Sequence, residues 1–595
     1  MNPLAEYQTR LEGRRRTLDQ LTRQFRRIGN ARLAAGFAAV IVAFVVFGEV
    51  WIPAWWLLLP LAVFAALVIV HARVAERMER SQRAIQFYER GVARLEGHWS
   101  GAGESGERFR NPKHVYAEDL DLFGKGSLFE LLSTARTRAG EDTLARWLLA
   151  PAARDDVAAR HLAVQELQPL LDLREDLAVL GVAVRSSLDP DAAAAWGEAP
   201  EVWFPHGARY IAPVLAAAVV ISFSLYMAGV LTRTPFLAAL LLALGYAFFL
   251  GNRTLRVVTA VNAPSRDLAL LAKLLDRVES ETFSAPLLQQ MRARINAGSQ
   301  RMASAQIAHL GRLVARLDWQ RNLIFMPIAW VLLWGAQVAM AIERWRKSSG
   351  RQIRAWIDTV GEFEALCSLA GYSFEHPTDV FPELVDAPGG CFDAAAIAHP
   401  LMPESRSIRN DVRLGGDTRL WIVSGSNMSG KSTLLRTIGI STVLAWAGAP
   451  VRAARLRISP LTLGASIRVL DSLQDGRSRF YAEITRLREI VAFTGGPRPV
   501  LFLLDELLSG TNSHDRQAGA SAIVKALIDR GALGLITTHD LALAHIAEEL
   551  PGRAANVHLA DTLEDGQLHF DYRLQPGVVQ RSNALDLMRS VGLEV

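Results

Sequence analysis

The sequence predicts a chain built from two kinds of structure: an all-α part with transmembrane helical hairpins, followed by an α/β domain. Long apolar stretches with arginine-rich flanks, separated by leucines at helical spacing, predict the all-α part. A glycine-rich loop between a β-rich apolar run and a helical run predicts the α/β domain after residue 390. At 595 residues the chain is long enough for three or four structural units.

The composition indicates contact with lipid. Hydrophobic residues make up 50% of the chain, and the mean hydropathy of +0.16 is high for a soluble enzyme. The two cysteines, Cys367 and Cys391, lie in unrelated contexts without metal-ligand spacing, which fits a reducing compartment and excludes a disulfide framework. The net charge of +5 is compatible with nucleic acid or anionic lipid as a partner and distinguishes neither.

The first predicted unit is a basic cytoplasmic helix over residues 1–32, with eight arginines against three acidic residues. A transmembrane hairpin follows over residues 33–71. From Leu33 to Val70, Glu49 is its only charged residue. Pro53 and neighbouring tryptophans mark its break. Each half has about 17 apolar residues, enough to span a thin bilayer. Residues 72–106 are predicted to form a membrane-proximal helix.

A second transmembrane hairpin is predicted over residues 208–252, with Arg233 alone in its turn and Arg253 and Arg256 after it. The alternative for this second hairpin is a pair of buried core helices. Because arginines flank the outer ends of both hairpins, the positive-inside rule puts both chain termini in the cytoplasm. The sequence therefore predicts a multi-pass protein of the inner or cytoplasmic membrane.

A third apolar run, Leu323 to Ile342, contains Pro327 and Gln337 and is flanked by arginines. A fifth span would place the C-terminal domain on the side of the membrane opposite to the basic N-terminus. We therefore expect a buried helix of the core here rather than a span.

The glycine-rich loop fits the phosphate-binding pattern G-x-x-x-x-G-K-[ST]. It lies between a β-rich run, Arg419 to Ser424, and a helical run that begins at Leu434, so backbone N–H groups and the helix N-terminus can close on phosphates. Lys431 is expected to reach the β- and γ-phosphates, and the Ser432 hydroxyl to bind Mg²⁺. The candidate nucleotide-binding residues are Gly425, Ser426, Asn427, Met428, Ser429, Gly430, Lys431, Ser432 and Thr433.

An apolar run, Val500 to Leu504, ends in two acidic residues about seventy positions further on. Asp505 is expected to hold Mg²⁺, and Glu506 to orient or deprotonate the attacking water. His539 ends another predicted strand and is placed to contact a γ-phosphate. Order and spacing favour an ATPase domain of the P-loop (ABC-type) class, with ATP and Mg²⁺ as cofactors and Glu506, His539 and Lys431 as its catalytic residues.

The same loop resembles, almost letter for letter, the G-P-N-M-G-G-K-S-T loop of the MutS mismatch-repair ATPases. Ser478 to Glu483 is similar to the S-T-F-x-x-E signature of that family, Asp505 to Ser513 to its D-E-x-x-x-G-T-S, and Thr537 to Asp540 to its A-T-H. The resemblance covers residues 391–595 and implies that Ser478 reaches the γ-phosphate bound by a partner subunit.

Weaker similarities extend the resemblance on both sides. His399-Pro400 and Asn410-Asp411 resemble the H-P and N-D pairs that precede the family's loop. Residues 107–207 and 253–390 resemble two parts of the MutS core, whose lever helices join a DNA clamp to the ATPase. The closing stretch of residues 391–595 resembles the family's C-terminal dimerisation helix. The resemblance thus implies a homodimer with ATP at its interface, and double-stranded or branched DNA as a partner.

The chain departs from that family near its N-terminus. Phe87-Tyr88-Glu89 reproduces the letters of the mismatch-reading F-x-E motif, but lies in a charged helical stretch without room for a reading domain. The leading hypothesis is a membrane-anchored MutS-like ATPase that couples ATP to a bound partner, with DNA the expected one in a mismatch-repair-like role. The alternatives are an ABC-type transporter ATPase, which needs an L-S-G-G-Q signature and more spans, and an ATP-gated membrane scaffold without DNA activity.

Overall fold

The computed structural model describes residues 2–48, 53–185, 189–296, 301–321, 325–426, 429–468, 479–508, 511–564 and 567–579. Helices dominate the described chain as far as residue 375, and two β-sheets follow between residues 383 and 576.

Fourteen α-helices are described in the first part of the chain. They are α1 (Pro3–Gly48), α2 (Leu58–Leu95), α3 (Leu128–Leu132), α4 (Arg138–Leu149), α5 (Arg154–Leu167), α6 (Leu171–Arg185), α7 (Pro190–Glu198), α8 (Ala208–Met227), α9 (Arg233–Glu279), α10 (Pro286–Ile295), α11 (Ala303–Asp318), α12 (Met326–Val331), α13 (Trp334–Ser349) and α14 (Gln352–Glu375).

The first hairpin consists of α1 and α2, which pack along each other from the apolar segment to the ends far from the hairpin turn. Aromatic rings mark the contact: Phe25 stacks on His71 with ring centroids 4.0 Å apart, and Tyr7 meets Tyr88 edge-on at 5.8 Å. Because α2 has 38 residues at about 1.5 Å each, a single helix runs from the apolar segment into the core.

The second hairpin consists of α8 and α9, and α9 continues for 47 residues from the apolar turn to Glu279. The two hairpins contribute four helices that are long and apolar enough to cross a membrane, judged by length and composition. Their apolar side chains face outward: Phe44 and Phe47 are each 79% exposed, and Phe248 is 91% exposed. Exposed apolar surface of this extent is unusual for a soluble monomer.

The third apolar run differs from the expected single buried helix. In the described residues it forms two helices, α12 and α13, which meet at Leu333, a residue with a left-handed φ of 52°. Ala339 and Ile342 in α13 are buried, whereas Trp330 in α12 is 61% exposed. The break arises because Leu333 adopts a conformation that ends a right-handed helix.

The C-terminal part contains ten β-strands and four further α-helices in its described residues. They are β1 (Glu383–Leu384), β2 (Cys391–Ile397), β3 (Asn410–Gly415), β4 (Leu420–Ser424), α15 (Lys431–Ala447), β5 (Arg455–Ile458), β6 (Thr462–Ser466), α16 (Arg479–Phe493), β7 (Val500–Leu504), α17 (Ser513–Asp529), β8 (Leu533–Thr538), α18 (Ile546–Glu549), β9 (Ala554–Glu564) and β10 (Gln567–Pro576).

The larger sheet has the strand order β10-β9-β4-β8-β7-β6, and all its neighbouring pairs except β9–β10 are parallel. Its central strands β7 and β8 are buried along their whole length, as continuous apolar runs in parallel sheets usually are. Ser424 pairs with Thr538, and Leu504 with Ile536, so the loops after β4, β7 and β8 leave the same edge of the sheet. This edge is called the carboxyl edge below.

The smaller sheet has the order β1-β5-β2-β3. Because β1 pairs with β5, the sheet region begins by Glu383, before the predicted boundary at residue 391.

A short segment before α3 connects the helical part to the larger sheet. Asp119 accepts hydrogen bonds from the backbone N–H groups of Ile467 and Arg468, both at 2.7 Å, just after β6. Its carbonyl accepts from Nε of Arg436 in α15 at 3.1 Å. The helix that follows the glycine-rich loop is therefore held directly by the helical part of the chain.

Candidate functional site

The glycine-rich loop leaves β4 and leads into α15. Nζ of Lys431 lies inside the loop, 2.8 Å from each of the carbonyl oxygens of Gly425 and Ser426. Gly430 has a φ of 96°, and a β carbon there would come within 2.9 Å of the Tyr572 ring, so the backbone passes too closely for a larger residue. Ser429, Ser432 and Thr433 complete its described part, whereas Asn427 and Met428 lie outside the described residues.

The carboxylate of Asp505 bridges the loop and the neighbouring strand at the carboxyl edge. One of its oxygens accepts from the Ser432 hydroxyl and the other from the Thr537 hydroxyl at the end of β8. The parallel register of β4, β7 and β8 brings these residues together, since Asp505 directly follows β7, Thr537 is the last residue but one of β8, and Ser432 lies where the loop that leaves β4 enters α15.

Glu506 and His539 form a second pair at the same edge. Nδ1 of His539 lies 3.2 Å from Oε1 of Glu506, and both side chains are partly open to solvent. Glu506 has a left-handed φ of 47°, and its backbone N–H donates to the Thr537 hydroxyl at 3.2 Å. Residues held in such sparsely populated conformations concentrate at functional sites.

Ser478 lies outside the described residues. The glutamate of the same predicted signature, Glu483, is buried in α16 and accepts a hydrogen bond of 2.6 Å from the backbone N–H of Leu508. Leu508 also has a left-handed φ, of 56°. Glu483 therefore holds the turn that contains Asp505 and Glu506, a positioning role that the sequence analysis did not assign.

A cavity of about 600 Å³ opens beside the loop, and the sequence analysis did not identify it. Its wall includes Ser429 and Thr433 on the loop side, and His399, Ile408 and Tyr572 on the other side. An opening of this size with apolar and aromatic walls is typical of small-molecule sites.

Tyr572 in β10 is fixed in the wall of this cavity by Asn410. The Asn410 side chain donates to the Tyr572 carbonyl at 3.0 Å and accepts from the Leu574 N–H at 2.8 Å, across an irregularity in the β9–β10 pairing. Asn410 lies in the Asn410-Asp411 pair that the sequence analysis quoted, so this pair was the available signal. The meeting of Asn410 and Tyr572 across 162 positions depends on the fold.

His399 enters the same cavity as a neutral group. Burial, together with the nearby cations Arg436 and Arg452, lowers the pKa of His399 to about 4. An uncharged imidazole beside Tyr572 and Ile408 suits a flat, uncharged ring better than an anion.

The donor set at the carboxyl edge fits a magnesium ion. Within the described ranges, no group of three or more His, Cys, Asp or Glu side chains could hold a metal by itself. Mg²⁺ is usually bound by one or two protein oxygens together with water and phosphate oxygens, and Ser432 and Asp505 supply such a pair. The residues therefore fit a metal that arrives with a phosphate ligand.

Phe87 lies away from this edge and is 6% exposed, packed edge-on against Tyr88. In this conformation its ring faces other residues of the chain and is not displayed for a base.

Comparison with known families identifies the class of the C-terminal part. Residues 421–594 match the family model described as MutS domain V. The matched stretch includes the loop, both carboxylates and His539.

Three curated relatives match the chain over its C-terminal part. The DNA mismatch repair protein MutS of Natronomonas pharaonis is 33% identical over 265 residues, covering 43% of this chain and 29% of that protein. The endonuclease MutS2 of Thermus thermophilus is 36% identical over 196 residues, 33% of this chain and 25% of that protein. The DNA mismatch repair protein MutS 2 of Halobacterium salinarum is 35% identical over 203 residues, which cover 33% of this chain and 23% of that protein.

The C-terminal part of the chain is therefore similar to domain V of MutS-family proteins. It spans between about a quarter and three tenths of the length of these relatives.

Proposed function

We propose that the chain is a membrane-anchored MutS-family ATPase that binds and hydrolyses ATP as a dimer and couples this cycle to a bound partner. One observation carries the nucleotide part: Lys431, the Ser432–Asp505 pair and the Glu506–His539 pair meet at one edge of a parallel sheet. A lysine, a hydroxyl–carboxylate pair and a carboxylate base are the groups that phosphoryl transfer to water requires.

Each group has a separate role in this proposal. Lys431 binds the β- and γ-phosphates, and Ser432 and Asp505 hold Mg²⁺, which neutralises charge on the phosphate oxygens. Glu506 accepts a proton from the attacking water, and His539 orients the Glu506 carboxylate and contacts the γ-phosphate. The cavity between His399, Ile408 and Tyr572 receives the base of the nucleotide.

Membrane anchoring is supported by the four long apolar helices and their outward-facing side chains. We infer a multi-pass protein of the inner or cytoplasmic membrane, with both hairpin turns outside and the nucleotide site in the cytoplasm. Cysteine labelling should find Arg233→Cys accessible from outside in a variant that lacks Cys367 and Cys391. Labelling of a C-terminal tag from outside would overturn the topology.

Coupling to the membrane would run through helices that belong to both regions. α2 continues from the first hairpin into the core, where Arg94 makes two hydrogen bonds, of 2.7 and 2.5 Å, to the carboxylate of Glu375 at the end of α14. α9 continues likewise from the second hairpin. A change at the nucleotide site can therefore reach the hairpins through packed helices.

DNA is the partner that the names of the relatives favour, since two are DNA mismatch repair proteins and one an endonuclease. We infer binding to double-stranded or branched DNA dominated by backbone phosphates. The inferred homodimer depends on Ser478 and on the C-terminal dimerisation helix, both outside the described residues. The burial of Phe87 favours the alternative of an ATP-gated membrane scaffold over a mismatch reader.

The direct test of the nucleotide site is ATP binding by the purified full chain in detergent. Lys431→Ala should lose nucleotide affinity, because the ammonium contacts the phosphates in the ground state. Lys525→Ala is the matched control, since Lys525 is an exposed lysine of α17 paired with Glu549. Equal affinity of the two variants would remove Lys431 from the site and contradict the proposal.

A further inference from the structure

A cavity of about 210 Å³ lies away from the carboxyl edge, between α2, α6 and the segment before α4. Its polar lining consists of Arg83, Gln86, Arg90, Glu104 and Arg136. The volume corresponds to roughly seven water molecules at about 30 Å³ each. None of these residues takes part in the nucleotide site.

Arg136 is the unusual member of this lining. It is 7% exposed, yet within the described ranges its guanidinium makes no ion pair and donates no hydrogen bond. Its backbone is fixed, because the Arg136 N–H donates to the Glu364 carboxylate at 3.1 Å and the Thr137 N–H donates to it at 3.2 Å. A buried, unpartnered guanidinium is costly, so structures normally provide it with an anion.

The position of Arg136 is restricted on the side of α6. A β carbon at Gly181 would come within 2.7 Å of the Arg136 β carbon, so the two backbones are in close contact there. Burial and the nearby cations Arg90 and Arg94 lower the pKa of Arg136 to about 10, which still leaves it charged at neutral pH. The side chain therefore brings a permanent positive charge to the wall of the cavity.

The charges of the lining favour an anion. Arg83 is paired with Glu79 on its own helix. The Arg136 guanidinium lies near the cations Arg90 and Arg94 and the carboxylates of Glu104 and Glu364, so that with Arg136 itself the positive charges outnumber the negative ones. A guanidinium presents its donors as a planar fork that fits the oxygens of phosphate or carboxylate. The mouth of the cavity at Gln86 is exposed, so a small ligand has a path from solvent.

The distance from the apolar segment indicates where that anion comes from. Arg83 follows Val70 by 13 positions, or about 20 Å along a helix. The headgroup layer of a bilayer adds only roughly 5–8 Å beyond the hydrocarbon on each side. If α2 crosses the membrane as proposed above, lipid headgroups do not reach this cavity, and a soluble anion is required.

We propose that this cavity binds a small soluble oxyanion, inorganic phosphate or a phosphomonoester, with Arg136 as its buried ligand. The bound anion joins α2 to the segment that Glu364 ties to α14. Occupancy therefore stabilises the connection between the first hairpin and the core. The site is independent of ATP hydrolysis.

The test uses the full chain in nanodiscs of neutral lipid, in a Lys431→Ala background that removes the lysine of the phosphate-binding loop. Thermal unfolding is followed while inorganic phosphate is exchanged for chloride at constant ionic strength. We expect a saturable rise in Tm, lost in Arg136→Met and kept in Arg138→Met, whose arginine is an exposed neighbour. Without phosphate, Arg136→Met should be at least as stable as its parent, because an unpaired buried charge is gone.

Several results would overturn the proposal. A saturable response that survives in Arg136→Met would place phosphate elsewhere, and a parent without a response would leave Arg136 a structural residue. Should Arg136→Met fail to fold, equilibrium dialysis of labelled phosphate against Arg136→Lys must show at least tenfold weaker binding, since lysine keeps the charge and loses the fork. An Arg136-dependent rise in Tm in anionic nanodiscs without phosphate would identify a lipid source instead.

Discussion

The carboxyl edge of the larger sheet and the contact between the ends of α2 and α14 both hold buried or partly buried charges, but different groups satisfy the charges in the two places. At the edge, Lys431 is bound by backbone carbonyls and Asp505 by two hydroxyls. At the contact between α2 and α14, the Arg94 guanidinium and the Glu375 carboxylate satisfy each other.

This difference in partners distinguishes a ligand-binding site from a structural ion pair. Carbonyls and hydroxyls are neutral groups that can be exchanged for phosphate oxygens and a metal, so the charges at the edge remain available to a ligand. The charges of Arg94 and Glu375 neutralise each other, so neither is available to a ligand. Tyr7 donates a further hydrogen bond of 3.1 Å to the Glu375 carboxylate. Burial and the Glu375 charge raise the pKa of Tyr7 well above its usual value, which keeps it a donor.

The largest effect is expected when the Arg94–Glu375 ion pair is removed. Glu375→Gln leaves Arg94 buried without a counter-ion and should destabilise the folded chain by about 3–5 kcal/mol. Unfolding by denaturant, measured in detergent, checks this value. Asp172→Asn is the control, because Asp172 pairs with Arg10 at an exposed position and such pairs contribute less than about 1 kcal/mol. Equal losses of unfolding free energy in the two variants would mean that the Arg94–Glu375 pair does not stabilise the contact between α2 and α14.

A change at the edge should affect activity and leave stability nearly unchanged. Glu506→Gln keeps the shape of the side chain and removes the base, so ATP hydrolysis should fall by about 10² or more while ATP binding is retained. If Ser478 completes the site from the partner, this variant should also accumulate as an ATP-bound dimer. Steady-state hydrolysis and size analysis measure both quantities.

The control for that experiment is Glu548→Gln, which makes the same change at an exposed position of α18. Hydrolysis by Glu506→Gln near the rate of the unchanged chain would assign the base to another residue. Loss of ATP binding would show that Glu506 has a structural role.

The next effect depends on pH. His399 has a pKa of about 4 in the folded chain, because it is buried, against about 6.5 in the unfolded chain. Between these values only the unfolded chain takes up the proton, so stability should fall as pH drops from 6.5 to 4. The contribution is about 1.4 kcal/mol per pH unit. His161 and His376, whose pKa values burial lowers to about 4 and about 3, add to it.

His399→Asn should reduce the dependence of unfolding free energy on pH by the contribution of one histidine, about 1.4 kcal/mol per pH unit. Denaturant midpoints between pH 6.5 and 4.5 measure this dependence. Between pH 7 and 8 the two chains should show parallel pH profiles, which serves as the internal control. An unchanged slope below pH 6.5 would show that His399 titrates normally and is open to water.

The smallest expected effect concerns DNA. Backbone-dominated binding should weaken steeply as salt rises, and should change by less than about tenfold, or roughly 1.4 kcal/mol, when one mismatch is introduced. Matched and mismatched duplexes of equal length, titrated at two salt concentrations, measure both quantities. Stronger discrimination would mean that a base-reading residue, Phe87 among the candidates, becomes exposed on binding.

Much of the fold was predictable where local pattern decides structure. The loop lies between β4 and α15 as its motif required, and the apolar run before Asp505 coincides with β7. Both apolar hairpins have their breaks near the expected turns. The third apolar run was not predictable in the same way, because its break depends on the backbone conformation of Leu333 and on packing against α9.

The sequence by itself determined which chemical groups make up the proposed nucleotide site, because these groups lie in short motifs: Lys431 and Ser432 in one, Asp505 and Glu506 in another. Only the tertiary structure decided which distant residues support them. Glu483 reaches the turn at Leu508, Asn410 reaches Tyr572, and Arg94 reaches Glu375. Such contacts follow from strand order and helix packing, which bring together positions whose separation along the chain carries no local signal.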